Sequence, residues 1–232
     1  MSVHDLIKQF PDAATLRDRS RALAMLDAIV SPEWEYRYYS FDPRWSPGEG
    51  MASMRDGNGN DYAVVFSPAG AYVQACDHES PVSAYRTSPP TLWPGLFDSV
   101  PEVFLKQVQE PAFADHNGLP RATVCLWRQS TDAEWHCGDV RVPDQDMDDA
   151  DGAQWLLGIL CDGTGEEYRA HAEEVHELRV DRAAVDHIYA LRPLTQAIVS
   201  AINPDVRLAD LAADIEQTGY PTAVDGARAS AR

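Results

Sequence analysis

Residues 61–76 read DYAVVFSPAGAYVQAC. Tyr62, Val64 and Phe66 alternate, SPAG supplies a turn with proline and glycine, and Ala71, Val73 and Ala75 then alternate with Tyr72, Gln74 and Cys76. Successive strand side chains point to opposite faces of a sheet, so a period of two on both sides of a short turn predicts a β-hairpin. This hairpin sets the fold class. The flanking segments must either extend its sheet or cover it.

Toward the C-terminus, ATVCLWRQS (122–130) and EWHCGDVRV (134–142) read as a second hairpin around TDA. Toward the N-terminus, WEYRYYSF (34–41) alternates Trp34, Tyr36 and Tyr38 against Glu35 and Arg37, which predicts a strand with the aromatics in the sheet core. DPRWSPGEG (42–50) reads as a loop, followed by a short strand at 51–54. The proline-rich 77–95 segment is expected to be an ordered, irregular loop anchored by Tyr85, Leu92 and Trp93.

Helices flank this β region. Leu6, Ile7, Phe10, Leu16, Leu23, Leu26 and Ile29 recur at helical spacing, interrupted at Pro11 and ended by Ser31-Pro32. Ser99 and Glu102 have capping-box spacing for a short helix, and so do Thr164 and Glu167 for a helix over 164–178. AQWLLGILC (153–161) is read as a helix because aspartates precede it. Further helices are expected at 182–190, 193–203 and 205–218, with Pro193 and Pro204 in first turns and Gly219 as a C-terminal cap.

The expected fold is therefore α+β: one antiparallel sheet of four to six strands over about 34–142, packed with an N-terminal helix and a C-terminal group of helices. A single domain over 1–221 is expected, with a soft internal boundary near 180 and a disordered tail over 222–232.

The 232 residues are 44% hydrophobic and 24% charged, as in globular proteins. No apolar run approaches the roughly 20 residues of a membrane span. The N-terminus MSVHDLIKQF lacks a signal-peptide core, so a soluble, cytoplasmic protein is expected. Cys76, Cys125, Cys137 and Cys161 form no C-x-x-C pair and read as reduced, buried thiols.

The formal net charge of -18 opposes association with nucleic acid or an anionic membrane and favours a basic partner. The charge is concentrated. Residues 132–181 hold fifteen acids and three arginines, a formal -12. Their crest is DQDMDDADG (144–152). As a calcium loop it fails on spacing: starting at Asp144 puts Asp149 at position 6 and Trp155 at position 12, where glycine and glutamate are needed. Asp149 or Asp151 is expected to cap the following helix.

No metal or cofactor is expected. His136 and Cys137 are adjacent strand residues that point apart, and His171 and His176 are five residues apart, a poor match to the i, i+4 zinc pair. The best polar cluster for acid–base chemistry is CDHES (76–80), with Asp77, His78 and Glu79 beside Arg86.

These readings predict a protein-binding module, an inhibitor of the immunity-protein or antitoxin type. It would meet a basic protein, such as a toxin, through Asp144, Asp146, Asp148, Asp149, Glu166, Glu173 and Glu174, with Trp135 or Trp155 as anchor. The competing reading is an enzyme or small-molecule binder with a pocket beneath the 77–95 loop, around His78, Arg86 and Trp93.

Overall fold

The computed structural model describes residues 2–141 and 148–222. The elements in chain order are α1 (Val3–Leu6), α2 (Ala13–Val30), β1 (Tyr39–Ser46), β2 (Glu49–Arg55), β3 (Asp61–Ser67), β4 (Gly70–Cys76), α3 (Leu105–Val108), β5 (Val124–Gln129), β6 (His136–Cys137), α4 (Ala153–Cys161), α5 (Glu166–His176), α6 (Arg182–Tyr189), α7 (Gln196–Ile202) and α8 (Ala212–Thr218). The strands form one antiparallel six-stranded sheet in sequential order, an α+β architecture. The expected tail lies, from residue 223 on, outside the described residues.

The opening hairpin fixes the register. Tyr62 pairs with Ala75, Val64 with Val73 and Phe66 with Ala71, closed by the two residues between Ser67 and Gly70. One sheet face carries Phe41, Tyr62, Val64, Phe66, Val73 and Leu126 into the main core. Helix α2 fills that core from the other side. Asp12 accepts hydrogen bonds from Ala14 and Thr15 N–H at its start (2.9 and 3.0 Å), and its body from Ala22 to Val30 is buried. Helices α6, α7 and α8 pack on α2, so they share the sheet's core.

The opposite sheet face is covered by the long β4–β5 connection. Tyr72, Cys125 and Trp127 meet Val82, Leu96 and Phe104 there. Farther along the same face, Ala63 and Val65 meet Phe113, whose ring stacks on Trp45 at 5.7 Å. Buried Gln74 pins the cover to the sheet: its amide donates to the Phe113 and Arg121 carbonyls (3.0 and 2.9 Å), while its Oε1 accepts from the Tyr72 hydroxyl. No helix of the described residues is long and apolar enough to cross a membrane.

Several local expectations need correction. Trp34–Tyr36 is a 3-10 turn, not a strand, and Trp34 and Tyr36 are exposed rather than core. The strand begins at Tyr39 because the Asp27 carboxylate takes the N–H groups of Tyr38 and Tyr39. The 42–50 stretch is largely β1 and β2; Pro43, which has no N–H, sits in the register shift between Asp42 and Ser46. Neither capping box forms. Pro101 precedes a 3-10 turn at Glu102, and α5 is capped by Asp162, which accepts from Thr164 and Glu167 N–H (2.7 and 2.9 Å). Pro193 lies ahead of α7, which starts behind Thr195, and Pro204 follows its end. Gly219, with φ 61°, does cap α8. Cys76 and Cys125 are buried, whereas Cys137 and Cys161 are only half-buried.

Candidate functional site

A groove opens where the C-terminal half of α5, the first turn of α4, the 34–38 segment and the turn after β2 converge. Two cavities of about 470 Å³ each form it, sharing Tyr38, Asp56 and Val175 as walls. The first is further lined by Trp155, Glu167, His171 and Glu174. The second includes Tyr36, Arg37, Arg55 and His176. Large exposed apolar side chains gather here: Tyr36, Trp155 and Val175 are 60%, 51% and 40% exposed. Exposed Trp34 stands beside them, with the guanidinium groups of Arg37 and Arg55 each 5.6 Å from its ring.

Backbone chemistry positions each part. Asp149 accepts from the N–H groups of Gln154 (2.7 Å) and Trp155 (2.8 Å), fixing the first turn of α4 and with it Trp155. Asp151 is nearly fully buried; it accepts from Ala153 N–H (3.0 Å) and reaches across to Val3 N–H (2.8 Å). Asp56 accepts from Asn58 and Asn60 N–H (2.7 and 3.1 Å), which holds the turn after β2. The left-handed residue Glu177 (φ 53°) ends α5, and Leu178 N–H returns to the Ala172 carbonyl at 3.1 Å.

The groove floor is aromatic and polar together. The Tyr38 ring meets His171 edge-on at 4.8 Å, and the rings of His171 and His176 are 5.7 Å apart. The Nε2 atoms of both histidines are buried without a hydrogen-bond partner. Beneath them lies Asp27, fully buried, with one carboxylate oxygen on Tyr38 and Tyr39 N–H (2.6 and 3.0 Å) and the other on the Tyr168 hydroxyl (3.0 Å). Burial pushes the Asp27 carboxyl upward, against the pull of those hydrogen bonds. Burial, with His176 nearby, lowers His171 to about 4, so its imidazole is neutral at pH 7. Burial, with Asp162 nearby, also raises the Glu167 carboxyl.

The residues expected to face a partner are dispersed. Asp144 and Asp146 lie outside the described residues. Asp148 is exposed. Asp149 is the helix cap, so Asp149→Ala is expected to cost about 0.5–2 kcal/mol, read as a lowered urea midpoint; an unchanged midpoint would refute the capping role. Glu166 pairs with Arg169 (2.7 Å) and Arg182 (2.9 Å), and Glu173 with Arg179 (2.9 Å). Glu174 stands in the cavity wall. Trp135 is corrected outright as an anchor. It is 4% exposed, its ring meets Phe10 at 5.1 Å and its indole N–H donates to the Pro11 carbonyl at 2.7 Å. Trp155 is the exposed tryptophan of the pair.

The polar cluster after β4 is a hydrogen-bonded turn. Asp77 accepts from Glu79 and Ser80 N–H (2.9 and 3.2 Å), His78 meets Asn60 Oδ1 through its N–H and Nδ1 (3.0 and 2.8 Å), and Arg86 donates to the Glu79 and Ser80 carbonyls. The expected space beneath the 77–95 loop is filled: Val82 is buried against the sheet, with Leu92 and Trp93 packed beside it.

Three features escaped the sequence reading. Apolar spacing alone takes no account of Asp27, although a single acid inside ALAMLDAIV is a visible signal. Glu167 reads in the sequence as a capping-box residue, whereas its side chain lines the groove. His171 and His176 were set apart by their spacing, yet their rings converge at the end of α5. Comparison with family models, curated proteins and solved structures returns no match, so the functional reading rests on this groove's own geometry.

Proposed function

We propose that the protein is a binding module that receives a cationic segment of a partner protein in this groove, as an inhibitor of the immunity-protein or antitoxin type would. One observation carries the reading: the described walls of the Trp155 cavity combine three aromatic side chains, Tyr38, Tyr39 and Trp155, with three carboxylates, Asp56, Glu167 and Glu174, and include no lysine or arginine. An aromatic face attracts a cation through its quadrupole, and carboxylates at the rim complete the pairing. The box suits an arginine or lysine side chain, with Trp155 as the exposed anchor and the wider acidic surface speeding encounter.

The test is titration of the purified full chain with a hexa-arginine peptide, followed by Trp fluorescence and repeated across a salt series. Glu167→Gln/Glu174→Gln is expected to weaken binding at least about tenfold, roughly 1.4 kcal/mol. Trp155→Ala is expected to cost about 2 kcal/mol of binding. The control Asp98→Asn/Glu102→Gln removes the same charge from exposed sites elsewhere and should leave affinity nearly unchanged. Equal losses in both double variants would mean that net charge alone attracts the peptide, and the groove would lose its role.

A further inference from the structure

We propose that Asp27, His171 and His176 form a binding site for a divalent transition-metal ion of the zinc type at the floor of the groove. The site goes beyond the cation-binding groove and does not depend on it, since it lies below the outer carboxylates and is tested without any partner. One ligand atom from each residue lies within 4.8 Å of the other two. The three come from separate places: Asp27 from the last turn of α2, His171 from inside α5 and His176 from its last position.

Each residue has coordination capacity to spare. Buried polar atoms in folded proteins nearly always have a partner, and here two imidazole nitrogens in one cluster have none. The Asp27 oxygen that accepts from Tyr168 takes one hydrogen bond, which leaves it a second lone pair. The Tyr38 and Tyr39 N–H groups hold the carboxylate in place, and Tyr168 orients its other oxygen, the supporting role that outer hydrogen bonds play around metal ligands. Two imidazoles and a carboxylate are a borderline donor set, suited to zinc, cobalt, nickel or iron rather than to calcium or magnesium. Tetrahedral ligands at zinc distances stand about 3.3 Å apart, so small rotations of the two imidazoles would close the cluster around an ion.

The surroundings give the ion access. His171 lines one cavity and His176 the other, so an ion can enter from the groove. Three protein ligands leave a coordination position toward the cavities, to be filled by water or by an oxygen or nitrogen donor of a bound molecule. One charge of the ion is offset by Asp27, and Asp56, Glu167 and Glu174 keep the Trp155 cavity acidic above it.

The experiment uses tag-free full-length protein, stripped with EDTA and titrated with Zn2+ by calorimetry and with Co2+ by visible absorption. About one equivalent of Zn2+ is expected to bind, and Co2+ should give d–d bands without thiolate charge transfer. His171→Ala and His176→Gln should each weaken Zn2+ at least about tenfold, since even outer partners of metal ligands contribute that much. Cys137→Ser should change nothing. If His171→Ala fails to fold, His176→Gln, at the end of α5, carries the same test. No stoichiometric binding, affinity unchanged in His176→Gln, or a thiolate band in the cobalt spectrum would overturn the assignment.

Discussion

Asp27→Ala is expected to remove about 3–5 kcal/mol of folding stability, more than the loss of the buried carboxylate's volume would explain. The alanine leaves three donors without an acceptor: the N–H groups of Tyr38 and Tyr39 and the hydroxyl of Tyr168. An unsatisfied buried donor costs about 1–3 kcal/mol. Acceptor and donors together join three elements, since Asp27 sits on α2, Tyr38 and Tyr39 lie at the start of β1, and Tyr168 is on α5. The carboxylate is thus the point at which the sheet edge and the groove helix are tied to the central helix. Asp27→Asn keeps one oxygen for the two backbone N–H groups, and the Tyr168 hydroxyl can accept from its amide, so the expected cost falls to about 1–2 kcal/mol. Urea unfolding of the two variants in EDTA measures the difference. A cost below 1 kcal/mol for the alanine variant would show that water replaces the carboxylate and that Asp27 does not organise this junction.

The sheet was legible in the sequence because its central hairpin carries two signals at once, a period of two and a proline–glycine turn. Helix α2 was legible from its apolar spacing, and α4 from the aspartates before a short apolar run. The start of β1 was not. Alternating aromatics at 34–38 look the same in a strand core as on a groove wall, and the difference comes from Asp27 taking two N–H groups from eleven and twelve residues away. The groove was hidden for a related reason. Glu177 ends α5 in a left-handed conformation without the glycine that usually marks such a turn, so nothing local predicts that His171 and His176 meet above Tyr38. Trp135 was not legible as core, because its place in the acidic 132–181 stretch does not say that Phe10 and Pro11 cover it. The cap at Asp149 was legible because it is local, whereas the reach of Asp151 to Val3 depends on tertiary packing.

Arg37→Ala is expected to cost about 3–5 kcal/mol, the range for breaking a buried ion pair by removing one partner. The Arg37 side chain is 8% exposed. Its guanidinium pairs with Asp214 of α8, and its Nε and Nη2 donate to the carbonyls of Ser31 and Pro32, each at 2.8 Å. One side chain therefore closes the turn between α2 and β1 and fastens the last helix to it. Truncation leaves the Asp214 carboxylate, 17% exposed, without its counter-charge and two carbonyls without donors. Arg37→Lys preserves the charge but not the planar fork that reaches three acceptors, so it should recover less than half of the loss. A double-mutant cycle with Asp214→Ala separates the contributions. The double variant should be more stable than the sum of single losses predicts, with a coupling of about 1–3 kcal/mol, because the second truncation removes the stranded carboxylate. Arg37 also lines the groove and lies over Trp34, so the variant should loosen the Tyr36 side of the groove and leave the Trp155 side in place. Peptide binding measured at a temperature where the variant is still folded should then fall less than it does in Trp155→Ala. Zero coupling in the cycle would mean that Arg37 acts through the two carbonyls alone, and the proposed tie between α8 and the groove wall would have to be abandoned.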